Sequence, residues 1–453
     1  MTAPYATRSF SGSLAPLHVV AIGGGIGGLC LAQGLKQAGI SVAVYERDRT
    51  LTDRVQGYRV HISPTGSRAL HACLPSPLFE RFDRTCGKPS NAVRFLTEQM
   101  NVLIAFEREI MMAQQQDSVA NPSIAKHRSV SRISLREVLL SDLDDALHLG
   151  KTFTRYEERG DGRIVAHFED GTSATGDILV AADGGGSRVR RQLLPQAERI
   201  DTGVVGIAGK VFLDPASRAR LAPMLLDGLT IVAAKGGLGL FAAVQEIGDE
   251  TQGGDVGGNN SAPATGNLFD NSRSYLMWAL SGQRDRLGLG SDAEALDSAA
   301  LAAIAARAMK PWAKGFRDLV ELSDPTTISC LPIRTSVPVA PWPTGRITLI
   351  GDAIHSMTPY RGIGANIALK DALRLRDALV AAQRGDTSLL KAIGGYEAGM
   401  RDYGFRAVRN SLTAMQQMTG QGPIGMALSR TAFRLIDRLP PIKRRMARGL
   451  GEE

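Results

Sequence analysis

Apolar positions along this chain recur with two periods, and the changes between them mark out the elements. Leu17 to Ile22 is a β-branched apolar run that stops at Gly23-Gly24-Gly25-Ile26-Gly27-Gly28, which reads as a buried strand entering a tight turn. Leu29, Leu31, Ala32, Leu35 and Ala38 then lie broadly on one side of a helix that Gly39 ends. Ser41 to Glu46 is a second strand with an acid at its end, and Gly57 to Pro64 alternates like a strand before a helix from Thr65 to about Leu74. Strands are expected over Ala92–Leu96 and Val102–Phe106, a polar loop over Gln114–Ser118, and an amphipathic helix over Arg132–Leu140 with Ser131 or Ser134 as its N-cap.

Hairpin signals follow. Lys151–Glu158 and Arg163–Glu169 flank Gly160-Asp161-Gly162, and Asp170-Gly171 leads on to a strand over Asp177–Ala182. Between Gly203 and Ser281 the texture is long β segments: Val204–Phe212, Leu229–Lys235, Leu238–Gln245 and Tyr275–Leu280. Gly248–Asn267, almost free of large apolar residues, reads as a surface loop. Helices are expected over Ala293–Ala308 and Trp312–Leu322. A short buried strand, Ile347–Ile350, precedes a helix over Ala365–Val380, and Ser388–Arg409, Ser411–Met418 and Ile424–Arg438 form a C-terminal helical tail. Strands that alternate with helices, then a run of strands, make this an α/β chain with more than one layer.

Composition narrows the class. The 453 residues suit two or three packed units, and 43% hydrophobic with 22% charged is a globular balance. No apolar run reaches the roughly 18–20 residues that cross a bilayer. Residues 1–16 read as a leader, with no apolar core of a secretory signal. Cys30, Cys73, Cys86 and Cys330 show no metal-ligand spacing, so free thiols, no metal and a cytoplasmic location are expected. The net charge of +8 is spread among acids without a nucleic-acid motif, a pattern that favours anionic small molecules over nucleic acid. The densest basic cluster, Lys443-Arg444-Arg445 with Arg448, follows an amphipathic segment bearing Met426, Leu428, Phe433, Leu435 and Ile436. That segment is expected to close over the substrate domain or pair with a second subunit, with contact to an anionic membrane as the alternative.

Three stretches carry chemistry. The first is strand, Gly23-x-Gly25-x-x-Gly28, helix, strand and Glu46. Gly23 permits the turn, Gly25 admits a pyrophosphate, Gly28 lets the helix pack, and Glu46 suits the hydroxyls of an adenosine ribose. In the second, the strand ending at Ala182 runs into Asp183-Gly184-Gly185-Gly186, where Asp183 is either a ligand-side acid or simply a helix cap. In the third, Gly351-Asp352 ends a strand, and Pro359, Gly362 and Gly364 shape a turn that aims a helix N-terminus at whatever lies above the sheet. His61 and His355 are expected to be packed side chains. Trp278, Tyr275 and Phe241 belong to β segments that would floor a ligand chamber.

Together these stretches resemble the single-component (class A) FAD-dependent aromatic hydroxylases, the group containing para-hydroxybenzoate, salicylate and tetracycline-modifying monooxygenases. The resemblance implies a Rossmann-like FAD-binding domain from 17–90, 125–198 and 330–387. It places an interleaved β-sheet substrate domain at 91–124 and 199–329, and C-terminal helices at 388–453. Gly23, Gly25, Ile26, Gly27 and Gly28 would hold the ADP half of FAD, with Glu46 and neighbouring Arg47 at the ribose. Asp183 and Gly184 would lie near the pyrophosphate, Gly351 and Asp352 at the ribityl chain, and Pro359, Gly362, Gly364, Ala365 and Asn366 around the isoalloxazine. Arg132 and Arg54 would stand beside the flavin. Pro359 and Gly362 form the ring environment of the reacting centre, and no side-chain acid or base is assigned. Ile363 stands where the family often has Gln, and Arg361 where smaller residues are usual.

The implied activity is hydroxylation of an electron-rich aromatic or polycyclic small molecule through a flavin C4a-hydroperoxide. It would consume O2 and NADPH or NADH, with non-covalent FAD, in a monomer or homodimer. A fused-ring or prenylated aromatic of secondary metabolism would suit a chamber bordered by several β segments. A dehydrogenase or reductase on the same fold, or a non-catalytic flavin-loaded binding protein, are the other readings. A flavin halogenase is not, because Trp278, Trp312 and Trp342 lack the Trp-x-Trp spacing that class requires.

Overall fold

The computed structural model describes residues 16–50, 58–108, 124–247, 273–290, 293–420 and 422–451. Arg54, the Gln114–Ser118 segment, the Gly248–Asn267 segment and residues 1–15 lie outside them. Among the described residues, no helix is long and apolar enough to cross a membrane.

A five-stranded parallel sheet organises the first core, in the order Ile347–Leu349, Ile178–Ala181, His18–Ile22, Ser41–Tyr45, Leu147–His148. Val20 pairs with Leu179 on one side and Ala43 on the other. Strands buried on both faces need unbroken apolar runs, and Val19 to Ile22 and Ile178 to Ala181 supply them. Helices Ile26–Gln37 and Gly364–Gln383 pack on this sheet and on each other, and the three-stranded sheet formed by Phe153–Glu158, Ile164–Phe168 and Ser173–Gly176 joins the same core.

The second core lies behind a seven-stranded sheet, in the order Ser329–Ser336, Arg199–Phe212, Tyr275–Gln283, Leu238–Gln245, Gly228–Ala234, Ala92–Leu96, Val102–Glu107. Its pairings are antiparallel except for Gly228–Ala234 against Ala92–Leu96. The period of two decides what each face does. Val205, Ile207, Val232, Leu240, Leu276, Trp278 and Leu280 enter the core with helices Ser298–Ala308 and Lys314–Glu321. Gly206, Ala208, Ile231, Phe241, Met277 and Ala279 line a cavity instead. Trp278 is therefore core, its indole N–H donating to Ser323 Oγ at 2.7 Å, whereas Phe241 does face the chamber.

Several elements depart from expectation. The helix read over Ala293–Ala308 is a 3-10 turn, Ala293–Ala295, and a separate helix beginning at Ser298, because Asp297 caps it by accepting the Ala300 N–H at 2.7 Å. The two helices read over Ser388–Arg409 and Ser411–Met418 are one, Leu389–Thr419, and Ile393, Met400, Phe405 and Val408 enter the first core, so this helix is no detached tail. Helix Ser76–Thr85, helix Pro440–Gly451 and strands Arg128–Ser131, Leu147–His148, Ser173–Gly176 and Ser329–Ser336 were not read from the pattern. Helix Pro423–Asp437 docks on the edge of the seven-stranded sheet, where Phe433 and Ile436 pack with Val93, Phe95, Ile104 and Phe106.

Candidate cofactor and substrate site

The glycine turn divides by role. Gly23 has φ +107°, and a Cβ there would sit 2.4 Å from the Ala182 carbonyl oxygen. A Cβ on Gly28 would sit 2.2 Å from Gly23 O. Gly23 is glycine because the end of the neighbouring strand crowds it, and Gly28 because the helix packs directly on the turn. Gly25 is different: its φ is −79°, and no atom lies within 4 Å of where a Cβ would be. It is glycine facing open space, and helix Ile26–Gln37 begins beside it with no side-chain cap. Uncapped amides with a clear approach suit a pyrophosphate.

Glu46 is 8% exposed, and its carboxylate accepts the Gly24 N–H at 2.6 Å and the Asp48 N–H at 3.0 Å. Arg136, buried on helix Arg132–Leu140, donates Nε–H to Gly24 O at 3.2 Å. Burial lowers the pKa of that guanidinium and the neighbouring Glu46 opposes the shift. The acid and Arg136 thus hold the turn from two sides. Arg132, exposed at the start of the same helix, lines the cavity, while Arg47 is exposed and does not.

Asp183 accepts the Arg188 N–H at 2.8 Å and the Val189 N–H at 3.4 Å, the first two amides of helix Arg188–Leu193, whose N-cap is Ser187. Its Oδ1 is buried with no partner among the described residues, and burial raises its pKa. Arg190 ties the second stretch to the third, donating to Gly185 O at 3.1 Å and Ala353 O at 2.8 Å.

In the third stretch Gly351 takes φ +59° and Asp352 is exposed toward the cavity. Gly362 takes φ +63° after the 3-10 turn Pro359–Arg361. A Cβ on Gly362 would meet nothing, and one on Gly364 only Met357 Cγ at 3.8 Å. Helix Gly364–Gln383 starts there, again without a side-chain cap. Asn366 is fully buried, and its amide is used internally: Oδ1 accepts the Ser63 N–H at 2.8 Å and Nδ2 donates to His61 O at 2.9 Å. Ile363 fills an apolar contact with Ile367 and Ala407.

One cavity of about 2490 Å³ receives Gly25, Ile26, Gly27, Gly28, Arg132, Gly184, Gly351, Asp352, Pro359, Gly362, Gly364 and Ala365. Gly23, Glu46, Asp183 and Asn366 stand behind its wall. It exceeds the ~300–1,000 Å³ usual for one small ligand, so a dinucleotide leaves room for a second molecule. The far half is the sheet face of Gly206, Ala208, Ile231, Phe241, Met277 and Ala279, roofed by Met418, Met426, Phe433 and Met446. Arg430 pairs with Glu98 and donates to Ala233 O at 3.0 Å, pinning the roof to the sheet.

Sequence reading missed the polar wall of this half, where strand Arg59–Ile62 pairs with Arg128–Ser131. His61 and His127 stack with ring centroids 5.0 Å apart and ring nitrogens at 3.0 Å. Burial drives the His61 pKa to about 3, with His127 and Arg59 adding to the effect, so the ring is neutral at physiological pH. The available signal was the alternation Tyr58-Arg59-Val60-His61, but its partner strand was not visible.

A family described as FAD binding domain matches residues 304–411, and one described as NAD(P)-binding Rossmann-like domain matches residues 22–84. The crystal structure of a chain from Photorhabdus luminescens subsp. laumondii, assigned as an FAD-containing monooxygenase, is 33% identical with a TM-score of 0.76, covering 89% of this chain and 98% of that one. The Klebsiella pneumoniae protein solved with FAD and uric acid is 25% identical with a TM-score of 0.73, covering 96% of each chain. A dual O-methyltransferase/FAD-dependent monooxygenase of Phaeosphaeria nodorum is 29% identical over 441 residues, 89% of this chain and 46% of its own length. The chain spans about half the length of such dual fungal relatives, 46–48%. Fold, glycine turns and similarity agree: the chain belongs to the single-component, FAD-dependent monooxygenases.

Proposed function

We propose that the protein uses FAD, NADPH or NADH, and O2 to hydroxylate an electron-rich aromatic or polycyclic small molecule. The observation that carries this reading is the single cavity joining two uncapped helix N-termini, at Gly25 and Gly364, to a sheet face of small side chains. Gly25–Gly28 would take the pyrophosphate and Asp352 the ribityl hydroxyls. When bound, FAD supplies the reductive activation of O2 and delivery of one oxygen atom to the ring.

The protein's part is positional and electrostatic. The N-terminus of helix Gly364–Gln383 favours negative charge on a reduced ring. The methionine- and phenylalanine-lined half accepts a flat apolar substrate and keeps water from the reacting centre. The Klebsiella relative solved with uric acid, a fused heteroaromatic, supports a fused-ring substrate. The described residues hold one parallel sheet and one complete glycine turn of this kind, so the nicotinamide would reach the flavin without a Rossmann domain of its own.

Aromatic ligand binding would then bias the flavin toward a reducible position. Stopped-flow anaerobic reduction by NADPH and by NADH, with and without hydroxylated polycyclic aromatics, tests this. Reduction should accelerate by roughly tenfold or more, about 1.4 kcal/mol, with a true substrate. Fast reduction that ignores the ligand would contradict the coupling.

A further inference from the structure

The chamber wall holds a cation, Arg59, with no carboxylate partner among the described residues. Arg59 opens strand Arg59–Ile62 and lines the cavity. Its Nε–H is held by Ser129 Oγ, which in turn donates to Gln245 Oε1 at 2.6 Å. Ser90 Oγ lies a long 3.5 Å from Nη2. No carboxylate pairs with Arg59 among the described residues. Burial lowers the pKa of this guanidinium to about 10, which leaves it charged at physiological pH. The nearby Tyr275 phenol offers no negative charge, since burial pushes its pKa well up.

The surroundings lean the same way. Asp83 and Asp352 are the only carboxylates among the described lining residues. Asp83 is engaged by Arg128 at 2.6 Å and Lys126 at 3.3 Å. Asp352 belongs to the cofactor end. A half-buried cation without a carboxylate partner is costly, and the cost is recovered when a ligand brings the opposite charge. The Ser129–Gln245 relay fixes the guanidinium plane through Nε and leaves the Nη1/Nη2 edge for a fork-shaped acceptor.

We propose that Arg59 anchors a carboxylate of the aromatic substrate, making this chamber selective for aromatic acids over their neutral analogues. The inference rests on the chamber being the substrate site. It deepens the functional reading by naming the charge class of the substrate.

The test is calorimetric titration of the full-length, FAD-loaded protein with anthraquinone-2-carboxylate and with anthraquinone-2-carboxamide, which share one ring system and differ in charge. The acid should bind roughly tenfold or more tightly. Arg59→Met should remove that preference at unchanged flavin content, and Arg59→Lys should keep part of it. Arg59→Gln replaces Arg59→Met should the latter fail to fold. Equal affinities, no binding of the acid, a preference that survives in Arg59→Met, or loss of FAD from that variant would each overturn the proposal. A protein that prefers the acid but never incorporates oxygen keeps this anchor and loses the monooxygenase reading. One that oxygenates neutral aromatics with no acid preference does the reverse.

Discussion

His355 Nε2 lies 2.6 Å from Asp371 Oδ2, both side chains buried, and the same carboxylate oxygen accepts the Gly351 N–H at 2.7 Å. Tyr403 donates to the other oxygen at 2.7 Å. An ion pair beneath the wall therefore fixes the turn that presents Asp352 to the cavity. Burial disfavours the charged imidazole, but Asp371 outweighs it, so the His355 pKa stands above its ordinary 6.5. A raised folded-state pKa contributes stability in full below the unfolded value and loses it as pH rises through the folded value. Asp371→Asn should cost about 3–5 kcal/mol at pH 6, and the gap to wild type should narrow at higher pH. Urea unfolding at pH 6 and pH 8.5 measures this. A gap that does not change with pH would remove the charged pair from the account.

Gly25 and Gly28 make opposite predictions from one turn. Alanine at 28 meets Gly23 O at 2.2 Å and should destabilise the apoprotein by about 1–3 kcal/mol. Alanine at 25 meets no protein atom and has an ordinary φ, so thermal stability without FAD should stay within about 0.5 kcal/mol of wild type. FAD affinity should nevertheless fall by roughly tenfold or more, about 1.4 kcal/mol, because the methyl group occupies the ligand's approach. Apoprotein melting and FAD titration of the two variants separate packing from binding.

Glu46 and Asp352 can be told apart in the same way. Each changed to Ala should weaken FAD binding by roughly 1–3 kcal/mol. Glu46→Ala should also destabilise the apoprotein, because the Gly24 and Asp48 amides lose their acceptor. Asp352, exposed to the cavity, should not. Wild-type FAD affinity in both variants would mean that the cofactor lies elsewhere.

What the sequence disclosed, and what it withheld, follows from range. The Gly23–Glu46 unit and the Gly351–Gly364 turn are local: glycine spacing, flanking strands and an uncapped helix all lie within a few turns of chain. Arg59, His61 and His127 meet only because Arg59–Ile62 pairs with Arg128–Ser131, a four-residue strand with two polar serines and no apolar alternation. Its burial depends on a distant partner, Asp83, which holds Arg128 at 2.6 Å. Asn410-Ser411 reads as a helix break for a similar reason. The chain stays helical there, with Ser411 buried where its carbonyl accepts the Thr358 hydroxyl at 2.7 Å. Helix Ser76–Thr85 did leave a signal, Leu78 and Phe82 four apart, both buried.

Arg430 is the tie between the roof and the sheet, with side chains 16% exposed for Arg430 and 12% for Glu98. Arg430→Ala strands Glu98 in a mostly buried place, and should cost about 1–3 kcal/mol locally. Hydrogen exchange should quicken over Pro423–Asp437 and stay unchanged over His18–Ile22. Uniform protection in the variant would show that the helix docks through its apolar contacts alone.

The central claim, an FAD-dependent transfer of one oxygen atom to an aromatic ring, is tested most directly with isotopic oxygen. The FAD-loaded protein is supplied with NADPH or NADH under 18O2 and a panel of hydroxylated polycyclic aromatics and their carboxylates, and the products are weighed by mass spectrometry. The account predicts a product that has gained one oxygen atom, labelled from 18O2, formed only when the aromatic, FAD, O2 and the nicotinamide are all present. Nicotinamide oxidation at a substrate-stimulated rate, with no labelled product from any member of the panel and all reducing equivalents recovered as hydrogen peroxide, would contradict it.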